Sequence, residues 1–133
     1  MVSGCATYAT GPLFKQTPAP PNHKSTLYVF HPKSTIFYTP LVKIDDKPFV
    51  KLTQLGYSYA YLSPRVYRLT FKYGGGAGAF ISEIEVKGGQ PIFVKYFSNG
   101  FGETLKEVPE IEALNEIKEY RYVEPVQTEF DEF

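Results

Sequence analysis

The chain has 133 residues, 14 basic against 14 acidic side chains and a single cysteine. That length supports one domain burying roughly two thirds of the surface its unfolded form would expose, and one cysteine excludes an intrachain disulfide. No apolar run approaches the ~18 residues of a spanning helix, so any membrane attachment must come from elsewhere.

At the N-terminus, Val2-Ser3-Gly4-Cys5 resembles a bacterial lipobox, with an aliphatic residue, two small residues and a cysteine that becomes the lipidated first residue. Met1 to Gly4 therefore reads as the remnant of a lipoprotein signal peptide, and Cys5 as the lipidation site and membrane anchor. Lacking the basic and apolar stretches that precede a lipobox, the chain as given is expected to be soluble, with an unmodified Cys5 thiol. Residues 5–25 read as a flexible tether. Gly11-Pro12, Pro18, Pro20 and Pro21, spaced by polar residues, favour extended polyproline-like backbone. Phe14 is the apolar exception and is suited to dock on the domain.

From residue 26 apolar residues recur with period two. Thr26 to Phe30 is a strand closed by His31-Pro32, since proline cannot continue a central ladder. Ile36 to Tyr38 and Leu41 to Ile44 follow, and Asp45-Asp46-Lys47-Pro48 turns the chain into a hairpin partner at Phe49 to Leu52. Tyr57, Tyr59 and Tyr61 alternate with Ser58 and Ala60, so their rings share one face of a strand. After Ser63-Pro64-Arg65, Tyr67, Leu69, Phe71 and Tyr73 oppose Arg68, Thr70 and Lys72. Phe80, Ser82, Ile84 and Val86 oppose Ile81, Glu83, Glu85 and Lys87 in the same way. Gly88-Gly89 leads into a strand from Pro91 to Phe97. Short strands about ten residues apart, separated by Gly and Pro turns, predict a mainly β, single-domain antiparallel β-sandwich or small barrel over residues 26–123.

One C-terminal α-helix is expected near 110–120. Pro109 suits its first position, Glu110 and Glu112 its positive end, and Ile111, Leu114 and Ile117 form its apolar stripe. Residues 124–133 read as an acidic tail that frays unless Phe130 or Phe133 docks.

The zero formal charge is unevenly spread: residues 1–102 sum to +7 and residues 103–133 to −7. The acidic end is expected to fold back on a basic sheet, or to favour head-to-tail self-association between copies. No nucleic-acid partner is expected, because the acidic end would compete for any basic face.

In order, the lipobox, the segment with Phe14 and Pro18, the strand Leu27 to Pro32, the hairpin Val42 to Lys47 and the helix Glu112 to Ile117 resemble a family of bacterial lipoproteins. It is catalogued as domain-of-unknown-function family 2846 (DUF2846). The resemblance covers most of residues 2–120. The chain departs from the pattern at Asp46, where the family usually has a turn glycine, and at Pro64-Arg65, where it usually has Pro-Gly. The resemblance implies a lipid-anchored β-sandwich of the Gram-negative cell envelope with no established activity. Ala6 after the cysteine then favours the outer membrane, with the domain facing the periplasm.

Catalytic chemistry is not expected. Gly74 to Gly78 lacks the Lys-Ser/Thr of a phosphate loop, His23 and His31 have no ligand-like spacing for a metal, and adjacent Asp45 and Asp46 suit a turn better than paired acid-base work. No cofactor is implied. The row Tyr57, Tyr59, Tyr61 is the one candidate for ligand binding: such rings stack on sugars or receive an extended peptide, and the same spacing also fits a tyrosine-rich sandwich core. The resulting expectation is a non-catalytic binding or scaffolding lipoprotein contacting an envelope protein or peptidoglycan. A self-assembling structural subunit is the alternative.

Overall fold

The computed structural model describes residues 8–20, 23–33, 39–72, 79–98 and 103–130. Cys5, Ile36 to Tyr38, Tyr73, the glycine run 74–78 and Phe133 lie outside them.

The domain is mainly β, with two sheets and a single C-terminal helix, and no closed barrel forms among the described residues. The strands are β1 (Ser25–His31), β2 (Leu41–Ile44), β3 (Lys47–Lys51), β4 (Gly56–Leu62), β5 (Arg65–Lys72), β6 (Ala79–Val86), β7 (Ile92–Ser98), β8 (Glu103–Val108) and β9 (Arg121–Tyr122); the helix α1 is Glu110–Ile117. A five-stranded sheet runs β8-β7-β1-β4-β9 and a four-stranded sheet β3-β2-β5-β6. The smaller sheet is antiparallel throughout. The larger one is mixed, a departure from the antiparallel expectation: β1 pairs parallel with β7, and β4 parallel with β9. Each parallel partner returns only after a crossover, β7 through the second sheet and β9 through α1, so neither is joined by a local turn that the sequence could signal.

The hairpin β2–β3 turns on Asp45 and Asp46 alone, with φ of 51° and 67°. Two consecutive residues at positive φ match the twist of the flanking strands. Asp45 explains its own presence there: its carboxylate accepts the Arg68 backbone N–H at 3.0 Å and pairs with the Arg65 guanidinium at 2.9 Å.

The sheets sandwich an aliphatic core. Leu27, Val29, Ala60, Leu62 and Val94 of the larger sheet meet Val42, Ile44, Leu69, Phe71 and Ile84 of the smaller. At one side the Ser82 hydroxyl donates to the Leu105 carbonyl at 2.6 Å, tying β6 to β8. Along β3 the acidic end of the chain closes the core. Val126 N–H donates to Phe49 O at 2.6 Å, and Phe130, only 2 % exposed, sets its ring edge-on to Phe49 at 5.6 Å. The docking of Phe130 expected to keep this segment from fraying occurs, and the Val126 N–H holds it to the edge strand β3, while the Glu124, Val126, Thr128 and Glu129 side chains stay exposed.

The larger sheet has a second packed face. β1 is buried at every position, so Tyr28 and Phe30 point away from the sandwich into another cluster with Tyr57, Phe93, Val108, Ala113, Ile117 and Tyr120. The helix covers part of this cluster. Pro109 is its N-cap rather than its first position, and its buried face is Ala113 and Ile117 with Leu114 half-buried, whereas Ile111 of the expected apolar stripe is 86 % exposed. The small Ala113 allows close approach to the sheet where an isoleucine would hold it off. Lys95 on β7 fastens the helix by an ion pair to Glu116 at 2.8 Å, and Glu116 also accepts the Tyr120 hydroxyl at 2.8 Å. This is one contact across the +7 and −7 parts of the chain.

The rest of the outer face is covered by the segment expected to be a tether. From Tyr8 onward it is a strap bound to the domain. Ala9 N–H donates to Gln54 O, Tyr122 N–H to Pro12 O at 2.8 Å, and Phe14 N–H to Tyr120 O at 2.7 Å. A Cβ on Gly11 would overlap the Tyr122 carbonyl, so glycine permits the close approach. A proline-rich composition gives the strap no structure of its own, but backbone groups along β9 and a seat for Phe14 supply it from outside.

Candidate functional site

The Tyr57, Tyr59, Tyr61 row lies on β4 facing outward, not between the sheets. The register places Tyr57 opposite Phe30, Tyr59 opposite Tyr28 and Tyr61 opposite Thr26 on β1, with Tyr57 beside Tyr122 on β9. A continuous aromatic surface results. Tyr28 stacks on Phe93 at 4.8 Å, Tyr59 lies 6.0 Å from Tyr28, 5.8 Å from Tyr61 and 5.9 Å from Tyr122, and Tyr57 lies 5.7 Å from Tyr122. Offset and tilted rings at these spacings attract through their quadrupoles as well as through buried area.

Burial divides the row. Phe14 of the strap sits edge-on to Tyr28 at 5.7 Å and to Tyr57 at 4.9 Å, and Tyr57 is only 4 % exposed. Tyr59, Tyr61 and Tyr122 stay half-buried. Between them and the strap runs a groove of about 620 Å³, walled by Tyr57, Tyr59 and Tyr122 on the sheet side and by Pro12, Leu13 and the run Lys15 to Pro18 opposite. Leu13 is 52 % exposed at its rim. An aliphatic side chain left open beside half-buried rings is an apolar concavity of the kind that receives ligands.

Burial is the main reason that the phenols of Tyr57, Tyr59 and Tyr122 are pushed above the ordinary tyrosine pKa; neighbouring tyrosines add to it, and a hydrogen bond from the Lys15 backbone to Tyr57 opposes it. All three are protonated hydroxyls at neutral pH, able to donate and to accept. The remaining polar groups are Lys15, Gln16 and Thr17. Carboxylates and imidazoles are missing from this lining, and no group of His, Cys, Asp or Glu suited to a metal occurs among the described residues. What this lining offers chemically is ring stacking and hydrogen bonding.

Of the residues singled out from sequence, Tyr57 and Tyr59 line the groove, Tyr61 extends it through Tyr59, and Cys5 lies outside the described residues. Sequence reasoning missed Tyr122, Tyr28 and the strap wall. A signal for Tyr28 was present: the unbroken apolar run Thr26 to Phe30 is what a strand covered on both faces looks like. Phe14 carried one too, as the apolar exception suited to dock, and it packs on Tyr28 and Tyr57; Tyr122 and the rest of the strap carried none, since each becomes a wall only through a long-range partner. No family model matches the chain, and no curated protein matches it.

Proposed function

We propose that this chain is the non-catalytic recognition domain of a lipid-anchored bacterial envelope protein, fixed to the outer membrane through Cys5 and facing the periplasm, with the tyrosine groove as its binding surface. The observation that carries the binding part is the groove itself: half-exposed rings on the outer face of a sheet whose other face already supplies the core. A lipobox-like Val2-Ser3-Gly4-Cys5 supports the anchor, and the described residues contain no helix long and apolar enough to cross a membrane.

The anchor is tested by expressing a precursor with a complete export signal upstream of Val2. The parent should partition with membranes and incorporate labelled fatty acid, whereas Cys5→Ser should do neither; a membrane-bound Cys5→Ser protein would sink this part. The groove is tested independently. The chain has no tryptophan, so Tyr59→Trp places a unique fluorophore in the groove, and its emission should respond to envelope fractions containing the ligand.

A further inference from the structure

The strap is a ligand-like chain already seated on the tyrosine face. Its residues 12 and 14 direct backbone groups at β9 and the residue before it, Pro12 accepting from Tyr122 and Phe14 donating to Tyr120, which is the alternation of an extended segment. Three residues on, the Tyr28 hydroxyl accepts the Thr17 backbone N–H at 3.0 Å and lies 3.2 Å from the Thr17 hydroxyl. Pro18 and Pro20 then hold the chain extended, and Pro18 restricts Thr17 as well. The sheet thus grips an extended, proline-containing backbone in two ways: rings pack on its side chains, and a phenol bonds its main chain.

This grip leaves hollows on both sides of the strap. The 620 Å³ groove runs along Tyr57, Tyr59 and Tyr122, and a second hollow of about 260 Å³ lies beyond it, lined by Thr26, Tyr28, Gln90 and Pro91 with Gln16 to Pro20. Gln16, Thr17 and Pro18 border both.

We propose that the tyrosine groove binds an extended, proline-containing peptide segment of a partner protein, laid beside the strap on Tyr59 and Tyr122. This rests on the groove being the recognition surface and names the class of its ligand. Three features favour a peptide. The groove is continuous with an interface that already holds such a chain. Its hydroxyls and half-exposed rings match the aromatic grooves that receive polyproline-like segments, whose ordering entropy is small. And its lining lacks the carboxylate and guanidinium forks that would fix the paired hydroxyls of a sugar, Gln16 being its one planar amide.

The test titrates the Tyr59→Trp chain with a free peptide copying residues 12–20, with the same peptide carrying alanine for each proline, and with chitotetraose as the glycan probe. Backbone amide NMR shifts of the unsubstituted chain are recorded in parallel, so that the result does not depend on one variant. The native peptide should saturate the indole signal and move amides of residues 57–61 and 120–123 while leaving β5 and β6 still; the alanine peptide and a Tyr122→Ala chain should each weaken binding about tenfold. Equal binding of the two peptides, or saturation by chitotetraose alone, overturns the peptide assignment and leaves the groove reading standing. Silence toward every probe and envelope fraction overturns both.

Discussion

The two faces of the larger sheet are covered by different means. Its inner face is mostly aliphatic and meets a second sheet along its length, with Leu27, Val29, Ala60, Leu62 and Val94 against the antiparallel strands. Its outer face is aromatic and covered in pieces, by a short helix over Phe30 and Phe93 and by a strap over Tyr28 and Tyr57. A face covered by another sheet is lost only when the whole domain unfolds. One covered by separate pieces can open locally, and the groove lies where those pieces stop.

The comparison is tested most severely on the inner face. Leu69 is fully buried between the sheets, so Leu69→Ala should lower unfolding free energy by about 2–5 kcal/mol through lost burial and the cavity left behind. Denaturant unfolding followed by circular dichroism should show one cooperative transition at a lower midpoint. Two separated transitions would mean the sheets fold independently.

The strap should behave differently. Phe14 is half-buried among Tyr28 and Tyr57, and Phe14→Ala should remove about 1–3 kcal/mol of local packing, less than a fully buried phenylalanine supplies. Hydrogen exchange should quicken at the Phe14 and Tyr122 amides, which bond across the strap contact, and stay slow at Asp45, which bonds to Arg68 on the other sheet. Equal acceleration at all three would erase the distinction between the faces.

Alkaline pH separates the faces without mutation. Tyr57, Tyr59, Tyr120 and Tyr122 all belong to the outer cluster, and burial first of all holds each phenol above its ordinary pKa of 10.0, with the Glu116 hydrogen bond adding to the effect at Tyr120. Raised folded-state values mean that the unfolded chain releases these protons first. Their contribution to stability is whole below about pH 10 and declines as pH rises above it. Denaturation midpoints should therefore hold between neutral pH and about pH 9, then fall, with phenolate absorbance rising together with unfolding. A flat profile to higher pH would show that outer-face tyrosines ionise without opening the domain.

The same contrast explains what could be read from the sequence. Inner-face strands announce themselves: Tyr67, Leu69 and Phe71 alternate with charged or hydroxyl side chains, and all three are buried while Arg68 is exposed, with Thr70 buried as well. β8 did not, because it has one apolar residue for each face, Leu105 inward and Val108 outward, among charged neighbours. β9 has two residues, too few for any period. For Tyr57, Tyr59 and Tyr61 the alternation fixed that the rings share a face but not which face, since both sides of this sheet are apolar. The helix misled for a related reason: Ile111 is three residues from Leu114 and Leu114 three from Ile117, which reads as one stripe, but Ile111 and Ile117 lie about 120° apart round the helix and it is Ala113, four residues before Ile117, that shares the buried face. Phe14 apart, the strap was illegible in principle, because its structure is borrowed from β4, β9 and Tyr28.

The smallest effect concerns the β2–β3 hairpin, which belongs wholly to the locally encoded side of the comparison. Both turn residues have positive φ, and only Asp45 is compensated, by the Arg68 amide and the Arg65 guanidinium. Asp46→Gly should therefore stabilise the domain by about 0.5–1 kcal/mol, relieving the left-handed strain of a residue with a Cβ. Asp45→Gly removes a charge-assisted hydrogen bond along with the same strain and should destabilise the domain instead. Opposite signs at neighbouring positions with similar φ would show that side-chain bonding, rather than backbone preference, decides the turn. Two changes of one sign would put the backbone first.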